Sequence, residues 1–189
     1  MRRRDLLQAL LAIAATAACG AARADDSLWK LLQAGGQVVL VRHALTDPGV
    51  GDPEGMRLGD CTTQRNLGEQ GRREAERLGD ALRSRRVPVA KLLSSPWCRC
   101  LETARLVFGR PAEVQPALGN LFGRRQAEAQ QVAELGKLVR PVSGGNVFMV
   151  THGSTTLALT GVSPGTGEMV ILTPLANGGF RVAGRLSVR

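Results

Sequence analysis

The chain has 189 residues, 43% of them hydrophobic, enough for one domain with a real core and unlike a disordered, collagen-like or repeat protein. With four Phe, two Trp and no Tyr it lacks the aromatic surface that single-stranded nucleic acid stacks on. The net charge of +9 is heaviest at the extreme N-terminus and otherwise spread along the chain. It reads as a solvated basic surface favouring an anionic substrate, with no nucleic-acid partner.

Residues 1–24 read as a signal peptide. Arg2-Arg3-Arg4 is followed by an apolar stretch from Leu6 to Ala18, and Ala22-Arg23-Ala24 offers a small-x-small cleavage site. The apolar run falls short of the roughly 20 residues that span a bilayer, so no stable membrane insertion is expected after cleavage. Arg3-Arg4 also suits twin-arginine export, and Thr16-Ala17-Ala18-Cys19 loosely resembles a lipoprotein box. Cleavage after Ala24 removes four arginines and Asp5, lowering the charge from +9 to +6. The product would be periplasmic or secreted. It would keep Cys61, Cys98 and Cys100, and Cys61 is expected to bridge to one of the other two. Neither cysteine spacing nor nearby histidines support a zinc site.

Strands and helices alternate through the remainder, 25–189. Residues 37–42 (QVVLVR) predict a strand buried on both faces, and 44–66 a loop rich in Gly, Pro and Asp. A helix is expected over 68–84 with Ala75, Leu78 and Leu82 on one stripe, then a short strand over 89–93. Ser95 as N-cap and Pro96 as first helical residue open a second helix carrying Leu101, Ala104 and Phe108 on one face. A third strand is expected over 113–115, and a helix over 125–140 with Glu128, Val132, Leu135 and Val139 aligned. Residues 146–151 (NVFMVT) predict another fully buried strand. A short helix over 154–159 and strands over 168–173 and 180–186, turned at Asn177-Gly178-Gly179, follow. The order predicts one α/β domain, a three-layer sandwich with a mostly parallel central sheet flanked by helices.

The chain has two histidines, and each follows an apolar strand: His43 ends QVVLVRH and His152 ends NVFMVTH. Open α/β sheets bind ligands at the carboxyl ends of their strands. Arg42 precedes His43, and Arg99 lies in the helix that follows the 89–93 strand. A guanidinium is a permanently charged planar fork of donors suited to phosphate oxygens, and a helix N-terminus adds further N–H groups.

Four short motifs resemble those of the histidine phosphatase superfamily, which includes the phosphoglycerate mutase-like enzymes. Val41-Arg42-His43-Ala44 with Thr46 resembles its opening signature. Gln64-Arg65-Asn66-Leu67, with Gly71 and Ala75, is similar to the motif that starts its first helix. Ser94-Ser95-Pro96 with Arg99 and Thr103-Ala104 resembles its second phosphate-binding motif, and Val150-Thr151-His152-Gly153 its second histidine motif. The resemblance implies that His43 is the nucleophile and that Arg42, Arg99 and His152 hold the phosphoryl group. Thr46 and Gly153 would stand beside the substrate. It also implies hydrolysis in two steps through a phosphohistidine, with no metal or organic cofactor, on a small anionic phosphorylated substrate.

The chain departs from the family pattern at Ala44, where Gly is common, and more seriously after Arg99. Many members carry a Glu general acid roughly 20–30 residues on, whereas residues 117–124 here contain no carboxylate. Glu113, Glu128, Asp47, Asp52, Glu54 and Asp60 flank the region or lie on the first loop, and the general acid stays unassigned. Phosphohistidine phosphatases of the family also lack that Glu, and a good leaving group needs less protonation. The expected activity is hydrolysis of a phosphomonoester or phosphoramidate. The alternatives are a non-catalytic phosphate-binding module or a mutase-like phosphotransferase. Substrate and oligomeric state are left open.

Overall fold

The computed structural model describes residues 25–188. The expected signal segment lies outside them. A helix over 25–34 (α1), which the sequence reading did not anticipate, leads into β1 (Val38–Arg42). α2 (Glu69–Ser84), β2 (Val89–Ser94), α3 (Cys98–Phe108) and β3 (Glu113–Val114) follow. After these come α4 (Glu128–Gly136), β4 (Asn146–Thr151), α5 (Gly153–Thr160), β5 (Met169–Pro174) and β6 (Phe180–Leu186). The six strands form one sheet in the order β3-β2-β4-β1-β5-β6. β3, β2, β4 and β1 are parallel, while β5 and β6 add an antiparallel flank.

Alternation along each strand explains the continuous apolar runs. Val39, Val41, Phe148, Val150 and Ile171 face a core shared with Leu28 and Leu32 of α1, Leu78 and Leu82 of α2, and Ala104 and Val107 of α3. Val38, Leu40, Val147, Met149 and Leu172 face the opposite core, closed by Leu118, Leu135 and Val139. Both faces are dry, so successive residues of β1 and β4 must be apolar whichever way they point. Asn146 and Thr151 are buried polar exceptions at the two ends of β4, and Asn146 joins several elements. Its Oδ1 accepts from the Gln37 N–H, and its Nδ2 donates to the carbonyls of Leu32 and Pro88, joining α1, β1 and β2 to β4.

Several expected boundaries move. The helix expected over 125–140 is a 3-10 turn, Arg125–Ala127, followed by α4, which ends at Gly136. Leu135 and Val139 are buried as expected, while Glu128 is exposed. β3 keeps two residues, and the Gln115 N–H donates instead to the Ser94 carbonyl at 2.8 Å. The helix expected at Ser95-Pro96 begins at Cys98 with Trp97 as N-cap. The Ser95 hydroxyl pairs with His152 and accepts from the Trp97 N–H at 3.4 Å, one residue ahead of the helix. The Cys98 N–H finds its acceptor in Gln64 Oε1, 3.0 Å away, a tertiary substitute for a local cap. The buried stripe of α3 is accordingly Cys100, Thr103, Ala104 and Val107, while Leu101 and Phe108 are half-buried.

Candidate active site

β1 and β4 are neighbours, and Arg42 pairs with Thr151 at their carboxyl ends. The next residue on each strand is a histidine. The His43 N–H donates to the Thr151 carbonyl at 2.9 Å, and the two imidazoles meet edge to face with centroids 5.3 Å apart. Both rings are buried, beside a cavity of about 440 Å³. Arg42, His43, Arg99, His152 and Gly153 all line it, so five of the six residues expected at the site come together. Thr46 does not line it. It forms an isolated bridge with Leu67 that closes the base of the first loop, flanked by Asp47 N–H to Asn66 and Gly68 N–H to Leu45.

The His43 ring has a defined tautomer. Nδ1 donates to the Ala44 carbonyl at 2.9 Å, which leaves Nε2 as the nitrogen with a free electron pair. Burial lowers the His43 pKa to about 3, and the charges of Arg99, Arg42 and Arg65 act in the same direction, so the ring is neutral at neutral pH. His152 is also held well below the usual imidazole range, by burial first and then by His43, Arg99 and Arg42. Its Nε2 lies 2.8 Å from Ser95 Oγ, its Nδ1 lies 3.5 Å from Arg99 Nη2, and Trp97 packs edge-on against it.

Sequence reasoning missed Arg65. It sits in the Gln64-Arg65-Asn66-Leu67 motif but was assigned no role; the first loop carries it back to the cavity wall. The Nε–H groups of Arg42, Arg65 and Arg99 are all buried without a hydrogen-bond partner. All three guanidinium side chains line the same cavity. They fit an anion with several oxygens. Arg42 is anchored by Nη1 to the Pro164 carbonyl at 2.8 Å, and Arg65 by Nη1 to the Gly49 carbonyl. Burial and then the neighbouring Arg65 lower the Arg42 pKa, against the opposing pull of Glu74 and Glu168.

Gly153 opens α5, and a Cβ there would stand 3.3 Å from Arg42 Nε, so glycine gives that guanidinium room. The first N–H groups of α5 add the positive end of a helix dipole.

Asp52 is the other residue whose role was not legible. It was one of six flanking carboxylates among which the sequence could not choose. Its oxygens take Nη1 and Nη2 of Arg99 end-on at 2.5 and 3.1 Å, the Trp97 indole N–H at 3.1 Å and the Arg65 N–H at 3.3 Å. Burial alone would raise this carboxyl, but the Arg99 pairing and the Trp97 and Arg65 bonds hold it below the usual carboxylate range. It clamps the end of the guanidinium and leaves the side edge, with Nε, unpaired. No carboxylate lines the cavity among the described residues.

A disulfide joins Cys61 to Cys98, one of the two pairings the sequence allowed, and leaves Cys100 as a buried thiol. The bridge ties the first loop, with Asp52 and Arg65, to the start of the helix that carries Arg99.

The model of the histidine phosphatase superfamily (branch 1) matches residues 38–123, which include Arg42, His43, Arg65 and Arg99. Over that segment the chain is similar to the histidine phosphatase superfamily. Its second histidine lies beyond the matched segment and is brought to the first by the β1–β4 pairing. Solved structures of phosphatases share the fold of this chain. The protein histidine phosphatase SixA complexed with tungstate is 21% identical, with a TM-score of 0.53 over 80% of this chain and 96% of that one. The mycobacterial glucosyl-3-phosphoglycerate phosphatase in complex with VO3 is 16% identical, with a TM-score of 0.57 over 78% and 97%. The Entamoeba histolytica phosphoserine phosphatase in complex with phosphoserine is 14% identical, with a TM-score of 0.53 over 79% and 95%. No curated protein matches the chain.

Proposed function

We propose that the protein is a phosphatase that hydrolyses a phosphomonoester or phosphoramidate through a phosphohistidine on His43. The observation that carries this is the unprotonated Nε2 of His43 beside a cavity lined by the three guanidinium side chains of Arg42, Arg65 and Arg99. Nε2 attacks phosphorus while the guanidinium groups of Arg42, Arg65 and Arg99 take the non-bridging oxygens. His152, edge-on to His43 on the cavity wall, supports the same oxygens. The charge spread over a transferring phosphoryl group is met by donors already in place, so little reorganisation is needed. Water then hydrolyses the phosphohistidine. The tungstate, VO3 and phosphoserine complexes of the structural neighbours suit this assignment.

Export to the periplasm or beyond belongs to the same proposal. The secretory pattern of residues 1–24 and a disulfide that persists in oxidising compartments support it.

Rapid-quench labelling with a ³²P-phosphorylated substrate tests the mechanism. Acid-labile label should appear on His43, and His43→Ala should lose both label and turnover. His152→Ala should retain labelling at a rate reduced about 10²–10³-fold, the usual loss for one oxyanion donor. Label on His152, or normal turnover in His43→Ala, would overturn it. Phosphate binding without turnover of any substrate would replace it with a non-catalytic binding module.

A further inference from the structure

Beyond the phosphoryl cradle, the cavity mouth has a distinct chemistry. Val50 on the first loop, Phe122 on the turn before α4 and Leu157 on α5 all line it, and they are 88%, 60% and 47% exposed. They come from three separate parts of the chain and belong to a small group of large apolar side chains left open to solvent. The Phe122 turn is anchored. Asn120 Oδ1 accepts from the Phe122 N–H at 3.1 Å and from the Ser154 hydroxyl at 2.8 Å, and Ser154 Oγ accepts from the Leu121 N–H at 3.2 Å. A side chain at Gly51 would begin 3.8 Å from the edge of the Phe122 ring, so that ring stands just across from the loop backbone. Apart from the cradle arginines and the two histidines, the wall is neutral: Gly49, Asn120, Ser154 and Ser163 complete it.

We infer, on the phosphatase reading above, that the preferred substrate is an aryl phosphate whose ring leaves between Val50, Phe122 and Leu157. Two independent features support this. The mouth offers apolar and aromatic contact, and no ionisable side chain stands there beyond the cradle arginines and the two histidines. The wall also offers no carboxylic acid to protonate a departing oxygen, and Asp52 is ion-paired to Arg99. A phenol has a pKa of roughly 10, as in tyrosine. An alkyl alcohol is closer to water, at about 15.7. A phenoxide therefore leaves without the acid that an alkoxide requires. In the first step the bond from His43 Nε2 to phosphorus forms and the P–O(aryl) bond breaks. Phenoxide departs with the electron pair and takes its proton from solvent. In the second, water attacks phosphorus, the N–P bond breaks, its electron pair returns to Nε2, and inorganic phosphate leaves.

The test compares phenyl, cyclohexyl and acetyl phosphate with the purified protein. Phenyl and cyclohexyl match in size but differ in leaving group; acetyl leaves readily but has no ring. Phenyl phosphate should exceed cyclohexyl phosphate by at least about 10³ in kcat/KM. In Phe122→Ala and Leu157→Ser the ratio of phenyl to acetyl phosphate kcat/KM should fall about tenfold, carried by KM. Both side chains are on the surface, so folding should survive, and circular dichroism checks it. Comparable turnover of the cyclohexyl ester would show that a proton donor operates, and an unchanged phenyl-to-acetyl ratio in both variants would show that the mouth does not hold the ring. Either result overturns the inference and leaves the phosphatase reading standing. Failure of all three substrates, with no label on His43, removes both.

Discussion

Asp52 and Arg99, 47 residues apart, form an end-on ion pair in which the side chains are almost entirely buried. Removing one partner of such a pair strands the other charge, typically at about 3–5 kcal/mol. Asp52→Asn should therefore destabilise the protein on that scale in urea titration. Inorganic phosphate should restore more stability in the variant than in wild type, because it supplies the missing negative charge. A loss below about 1 kcal/mol would show that the pair carries little of the site's organisation.

The cradle uses forks, not point charges. Arg99→Lys should recover little of the activity lost in Arg99→Ala, since an ammonium cannot both meet Asp52 end-on and donate from its side. Arg65→Ala should lower kcat/KM by about 10-fold or more, although Arg65 lies far from both histidine motifs. Near-normal kinetics in Arg65→Ala would remove it from the site.

The disulfide between Cys61 and Cys98 spans 37 residues and should contribute about 3–4 kcal/mol through the unfolded chain. Reduction should shift the urea midpoint accordingly and lower activity with it, because the bridge holds the loop of Asp52 and Arg65 against the start of α3. Burial pushes the Cys100 thiol up to about 12, opposed by Arg99, so it should resist alkylation until the protein unfolds. Rapid labelling of Cys100 in the native state would contradict that placement.

The buried neutral histidines make stability depend on pH. The folded pKa of His43 is about 3 against 6.5 for an ordinary imidazole, so between those values the unfolded chain binds a proton that the native state refuses. Stability from this source is complete above pH 6.5 and declines as the pH falls toward 3. Urea titrations across that range should show a shallower acid decline in His43→Asn than in wild type. Parallel curves would mean that His43 is not buried neutral.

If the N-terminal segment is a cleaved signal, the exported protein should begin at Asp25, which N-terminal sequencing reads directly. An intact Met1 or lipid on Cys19 would reject this.

Much of the architecture was legible because it follows from local pattern. A strand dry on both faces must read as a continuous apolar run, and β1 and β4 did. The helix stripes at Ala75, Leu78 and Leu82 followed from their spacing. The two histidines were visible because each ends such a strand. What the sequence by itself determined was therefore the α/β class, the strand ends that bear His43 and His152, and the motif arginines Arg42 and Arg99. The tertiary structure decided that β1 and β4 are neighbours, which sets the two imidazoles 5.3 Å apart. It also decided that Cys98 rather than Cys100 meets Cys61, that Gln64 rather than Ser95 serves the start of α3, and that Asp52, alone among six carboxylates, reaches Arg99. These choices depend on where a loop of some twenty residues folds back. No local periodicity encodes that path: it is selected by which buried donors and acceptors can satisfy one another across the fold.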